Sequence, residues 1–461
     1  MTSLQPNADI ADELSARQRV TAMVGVYSVL FLLGLETTIG GAILPMASMA
    51  LDGFEHFHWT GTLQMLASAC ATPIAARIGD MTGRKNLLRL SIVLLCLAGI
   101  GSGLAQSFEL LLGSRLLNGL AMGIMAATAF AVPADVFRDP AQRVRWQSIG
   151  GVMFAVACSI GPMLGGALSE AYGWRAALFA VPVVCVPVLM VLHQLPLRRP
   201  AYPLKQQFDF AGGALLCLFI VVSLLALQPP AAIDGGAYVA LPILAVGLLA
   251  LLWRVQRRTL HPILSLEILS NANARNIVLS TLLSGSVLFI LMFYSPMLLT
   301  SVAGVSLREA ATLMLPLLVG MPAGSVINGM LFGRQSRPQW LLAAGAISLL
   351  CGCAMLARLE PGSQSLYVLV SFGFAGVGLG LINQNQTLFI QMVTPLQHVG
   401  AATGLISTAR MYGGALGSAL FGIALASGDM QHALTMAMTC SVAAAALMVP
   451  LAARLRLYGA A

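Results

Sequence analysis

Glu36 stands inside an apolar run, Leu35-Glu36-Thr37-Thr38-Ile39-Gly40-Gly41-Ala42-Ile43-Leu44-Pro45. Counted from Val20, it lies about 24 Å along a helix, and it is the one acid that falls deep in an apolar stretch. An ionised carboxylate at such depth costs about 3 kcal/mol or more, so it must be paired, hydrated or protonated. Burial favours the neutral acid and a neighbouring cation favours the charged one. A carboxyl that alternates between those settings takes a proton from one side and gives it to the other. The plainer alternative is a protonated acid that only hydrogen-bonds a neighbouring helix.

Two cations share this setting. Arg115 sits about six residues from one end of its run, where a long side chain can snorkel toward the interface. Arg410 lies about 16 Å into another run. A polar stretch, Asn383-Gln384-Asn385-Gln386 with Gln391 beyond it, must face a cavity or partner helices. Helical spacing puts Asn383 and Gln386 on one face, so not all four amides line one cavity. Phe289, Phe293 and Tyr294 are candidate aromatic walls, or ordinary packing. The eight cysteines all fall in apolar runs and have no metal-binding spacing, so free packing thiols are expected.

The elements that hold these residues follow from composition. The chain has 461 residues, 58% hydrophobic and only 9% charged. Soluble domains are about 25% charged, so lipid must be the outer solvent. There, only helices or closed barrels satisfy the backbone. Apolar runs of about 20 residues select helices, and the expectation is an all-α polytopic membrane protein. The net charge of +8 belongs to short connectors and orients the chain in the membrane; no nucleic-acid partner is expected. Residues 1–19 include Asp9, Asp12 and Glu13 and do not read as a cleavable signal peptide.

Fourteen spans are expected, near 20–48, 58–77, 87–106, 109–133, 146–169, 174–194, 209–228, 237–254, 274–301, 308–332, 339–358, 365–393, 399–426 and 432–453. Alternate threading leaves only Arg175, Arg308 and Arg358 in the outside loops, with Arg115 and Arg410 inside spans. All other Lys and Arg fall on one side, which the positive-inside rule makes cytoplasmic, with both termini there.

Motifs spread along the chain carry a family resemblance. The loop Ala76-Arg77-Ile78-Gly79-Asp80-Met81-Thr82-Gly83-Arg84-Lys85 resembles the G-x-x-x-D-R/K-x-G-R-K/R of the major facilitator superfamily. Ala76 replaces its glycine and Met81 its basic residue. A degraded copy, Gly329 to Pro338, follows the tenth span. The Glu36 segment resembles the L-D-x-T-I-x-x-x-A-L-P of fourteen-helix drug:proton antiporters, with Glu in the acidic place. Leu111-Leu112-Gly113-Ser114-Arg115-Leu116-Leu117-Asn118-Gly119 resembles L-x-x-x-R-x-x-Q-G, with Asn118 a shorter amide. Gly161-Pro162-Met163-Leu164-Gly165-Gly166 resembles the exporters' G-P-x-x-G-G, and Thr408 to Gly417 resembles T-x-R-Q-x-G-G-x-x-G. Phe208-Asp209-Phe210-Ala211-Gly212 resembles the F-D-W-x-G that opens the antiporters' central hairpin.

The resemblance implies a cytoplasmic tail over 1–19, a six-helix bundle over 20–200, a linker with two extra helices over 201–260 and a second bundle over 261–461. It implies a proton-driven exporter of small lipophilic or drug-like compounds in the bacterial inner membrane, working by alternating access. No enzyme activity, metal or cofactor is expected, the proton gradient supplies energy, and a monomer is expected; any periplasmic adaptor is left open. Glu36 and Arg115 would couple protons. Asp80, Gly83, Arg84, Lys85 and Asp135 would gate: Asp80 at the N-terminus of the thirteenth span near Gly400, Arg84 and Lys85 on Asp135. The glycines of Gly161-Pro162 and Gly165-Gly166 would let two helices close tightly and block a leak. Asn118, Phe289, Phe293, Asn383 and Gln386 are candidate substrate contacts. Arg410 either balances charge between bundles or contacts substrate. Rival readings are an importer or facilitator of the same fold and, from another class, a transport-silent membrane sensor.

Overall fold

The computed structural model describes residues 14–137, 139–194, 209–227, 237–259, 263, 266–302, 304–305, 307–332, 337–360, 364–394, 399–425 and 430–455. The tail before residue 14, the connector 195–208 and residues 333–336 of the degraded motif copy fall outside them. Among the described residues every regular element is a helix. Contacts sort the chain into two compact units.

The first unit comprises residues Met1–Gln207, Gly329–Gly333 and Ile390–Ser407. It contains α1 (Ala16–Ala50), α2 (His58–Thr82), α3 (Arg84–Gly103), α4 (Phe108–Ala129), a short α5 (Val132–Val136), α6 (Pro140–Tyr172) and α7 (Trp174–His193). Ser15 starts α1 through a capping box: its hydroxyl accepts from Gln18 N at 3.3 Å, and Gln18 Oε1 accepts from Ser15 N at 2.9 Å. The span expected over 109–133 breaks after Ala129 because Pro133 brings no N–H to continue the helical ladder. The chain restarts as α5, and that restart presents Asp135. The core gathers Met23, Val26, Leu32, Leu35, Ile39, Leu88, Ile92, Leu95 and Met125 from α1, α3 and α4, all nearly solvent-free. α1 packs along α6, and α2 along α4. Gly119 and Gly123 of α4 lie against the backbone carbonyls of Gln64 and Ser68, so any side chain there would push α2 away.

The second unit comprises Phe208–Asn328, Arg334–Phe389 and Thr408–Ala461. Its helices are α8 (Phe210–Leu227), α9 (Ala237–Arg258), α10 (Leu266–Ser270), α11 (Ala272–Ser301), α12 (Leu307–Leu313), α13 (Leu315–Phe332), α14 (Gln339–Leu356), α15 (Ser365–Val393), α16 (Val399–Leu425) and α17 (Met430–Ala453). The last turn of α15 and the first part of α16 belong to the first unit. α8 and α9 form a packed pair whose entry is fixed by Asp209, which accepts from Gly212 N at 2.8 Å and from Gln256 Nε2 at 2.9 Å.

Among the described residues, eleven helices are long and apolar enough to cross a membrane, and α8 is a shorter apolar one. Helices also occupy the other expected spans, α2 and α16, but these are not in that set. In α2 the polar residues His58, Gln64, Arg77 and Asp80 dilute the apolar run.

Candidate functional site

Glu36 points into the first unit and is 4% exposed. Arg115 and Asn118, three residues apart on α4, share one face of that helix. Both donate to a single oxygen of Glu36: Asn118 Nδ2 to Oε1 at 2.6 Å, and Arg115 Nη1 to Oε1 at 3.1 Å. No donor to Oε2 is recorded among the described residues. Arg115 is 1% exposed, so it does not snorkel. Its Nη2 donates to Ser102 Oγ of α3 at 2.7 Å, and Ser102 shares a hydrogen bond with Ser114 at 2.7 Å. Gly40, one turn beyond Glu36, faces the guanidinium, and a Cβ there would sit in ordinary contact, 3.5 Å from Nη1.

The sequence singled out the acid, the cation and the amide, but not Ser102, Ser114 or Gly40. Single serines and glycines are common in any membrane bundle. The usable signal was that Arg115 has five donors and one carboxylate oxygen cannot satisfy them.

Asp80 and Arg84 of the signature loop form one cluster with Asp135 of α5. Arg84 Nη2 meets Asp80 Oδ1 at 2.8 Å, and its Nε meets Asp135 Oδ2 at 2.6 Å. Gly83 ends α2 and begins α3 at φ +88°, a left-handed value that only glycine takes without strain. Lys85 goes elsewhere than expected. Its Nζ donates to the carbonyl of His193 at 3.2 Å, beside Arg89 at 3.3 Å, so both cations sit at the C-terminus of α7. The recorded ion partner of Asp80 is Arg84 rather than the start of α16. That helix does lie close by, since a Cβ at Gly404 would collide with Ala76 of α2.

The glycine-proline run faces α1. A Cβ at Gly161 would strike Thr38 Oγ1, while one at Gly165 would meet Ile43 at 3.4 Å. Gly166 has nothing within 4 Å of such a position. Pro162 lies inside α6. Thr38 is two residues from Glu36, so the seam lies at the level of the buried acid but on another face of α1.

In the second unit, Gln386 is fully buried and committed to α11. Its Nε2 donates to Ser280 Oγ at 3.0 Å, and its Oε1 accepts from Ser284 at 3.2 Å. Asn383 is half-buried, with a buried Oδ1 that has no partner. Phe289 and Phe293 stack with ring centres 5.9 Å apart. Arg410 is placed in the middle of α16 with Nε and Nη2 buried and unpartnered. Tyr294, expected as a third aromatic wall, is instead buried against Phe421 and bonded to Ser418 at 2.8 Å.

A helical chain with many segments long and apolar enough to cross a membrane, and a charge cluster sealed among them, is a polytopic membrane protein. The chain belongs to the major facilitator superfamily, whose family model matches residues 26–418. It is 26% identical over 420 residues to the multidrug transporter protein MdtP of Bacillus subtilis, covering 88% of this chain and 75% of that one. It is 24% identical over 416 residues to the multidrug resistance protein Stp of Mycobacterium tuberculosis, covering 89% and 76%. Among solved structures it is similar to the proton:xylose symporter XylE bound to 6-bromo-6-deoxy-D-glucose, at a TM-score of 0.68 and 14% identity, covering 94% of this chain and 96% of that one. At that identity the likeness is one of fold alone.

Proposed function

We propose that the chain is a proton-coupled exporter of small lipophilic compounds. The observation that carries this reading is the shared oxygen of Glu36. Two donors hold Oε1, and Oε2 is left for a proton. A proton on Oε2 neutralises the carboxylate and weakens its hold on Arg115, because charge-assisted hydrogen bonds are about twice as strong as neutral ones. α1 and α4 then become free to shift against each other. Loss of the proton restores the pair. Coupling follows if the two protonation states favour opposite openings of an alternating-access cycle. A potential of 100 mV moves one charge with about 2.3 kcal/mol, close to fifty-fold accumulation.

Outward direction is supported by the Gly161 seam, which closes α6 on α1 at the level of the acid, and by the relatives' names. Fourteen spans with α8 and α9 as a central insertion, cytoplasmic termini and a bacterial inner-membrane location complete the reading. Inverted vesicles from a host stripped of its own pumps test it. An imposed pH gradient, acid inside, should drive a lipophilic probe into their lumen. Uptake that ignores the gradient, or runs the other way, overturns export.

A further inference from the structure

Arg410 is a permanent cation near the middle of α16, with Nε and Nη2 both buried and neither partnered. Those two atoms form one edge of the guanidinium, whose parallel N–H bonds match two oxygens of an oxyanion. Arg84 shows the match within this chain: its Nε meets Asp135 Oδ2 at 2.6 Å and its Nη2 meets Oδ1 at 3.4 Å. No such partner exists for Arg410 among the described residues. The described acids of its unit are Asp209, Glu267, Glu309 and Glu360. Asp209 is committed to Gly212 and Gln256, Glu267 and Glu309 lie on short helices, and Glu360 lies past the end of α14.

The base of the side chain is held firmly. A Cβ at Gly285 of α11 would collide with the main chain of Arg410, and one at Gly413 with the carbonyl of Leu282. Tyr412 donates to Ser223 of α8 at 2.7 Å, pinning the next turn. Gly414, four residues after Arg410 and hence on the same helix face, lies against the ring of Phe289. An aromatic pair, Phe289 and Phe293, thus packs against α16 one helical turn after the backbone of Arg410.

We propose that Arg410 is an oxyanion subsite, and that the transported compounds include aromatic acids whose carboxylate, sulfonate or phosphate takes the Nε–Nη2 edge while the ring lies toward Phe289. This rests on the transporter reading above. The edge is sealed from solvent in this structure, and the helices around it must part for the anion to enter.

The test is flux into proteoliposomes of three probes: naphthalene-2-sulfonate, its neutral twin naphthalene-2-sulfonamide, and tetraphenylphosphonium. The wild-type protein should move the sulfonate. Arg410→Gln should cut sulfonate flux at least about tenfold, the scale of losing a charge-assisted pair. Sulfonamide and phosphonium flux should stay near wild type, which also shows the variant is folded. Arg410→Lys, which keeps charge but not the fork, should retain part of the sulfonate flux. Equal loss of all three probes in Arg410→Gln would make the residue structural and overturn the subsite. Wild-type flux of the neutral and cationic probes without the sulfonate would overturn it too, and would leave the export reading intact.

Discussion

Asn118 lies closer to Glu36 than Arg115 does, its Nδ2 at 2.6 Å from Oε1 against 3.1 Å for the guanidinium. The amide is therefore not a distant substrate contact but part of the acid's own setting.

Arg115→Leu strands the Glu36 carboxylate without its cation. Removing one partner of a buried pair is strongly destabilising, about 3–5 kcal/mol in known cases. The variant should lose thermal stability, and adding Glu36→Gln should recover part of it. A double-mutant cycle should give a coupling of about 1–3 kcal/mol. Additive effects of the two changes would show that the pair does not act as one.

The three glycines after Ser159 should differ in tolerance. Gly161→Ala collides with Thr38 and should abolish most transport or folded yield. Gly165→Ala meets Ile43 at 3.4 Å and should be mild, while Gly166→Ala meets nothing within 4 Å and should be silent. Folded yield and probe efflux read the order; a Gly166→Ala defect as deep as that of Gly161→Ala would contradict the α1–α6 seam.

In the signature loop, Arg84→Ala should cost more transport than Lys85→Ala, because Arg84 joins two carboxylates and Lys85 reaches a helix end. Gly83→Ala should destabilise by about 1–2 kcal/mol from its left-handed backbone alone. Matched flux and melting curves of the three variants check this ranking, and a reversed order between Arg84 and Lys85 would refute it.

Gln386→Leu removes both bonds to α11 and strands Ser280, while Ser284 keeps the carbonyl of Thr281 at 3.0 Å. It should lower stability by about 1–2 kcal/mol and leave the relative susceptibility to different compounds unchanged. A changed compound profile with unchanged stability would return Gln386 to the substrate path.

The helices were legible because runs of apolar residues about 20 long leave no other fold in lipid. Their ends were less so. Pro133 interrupts the fourth span, and nothing in the hydrophobic pattern marks where α4 stops and α5 begins. Glu36 and Arg115 announced themselves as charges in apolar runs. Their convergence through Asn118 did not, because it depends on which faces of α1 and α4 meet. Lys85 was misplaced for a related reason: adjacent residues at a helix start point in different directions, and only Arg84 turns toward Asp135. The serines that hold Arg115 carry no periodic signal at all.

The central claim is that Glu36 carries the exchanged proton. Purified protein in a weakly buffered solution with a pH indicator should release protons when a transported probe is added. Glu36→Gln should bind the probe and release none. Proton release from Glu36→Gln equal to the parent's would contradict the account.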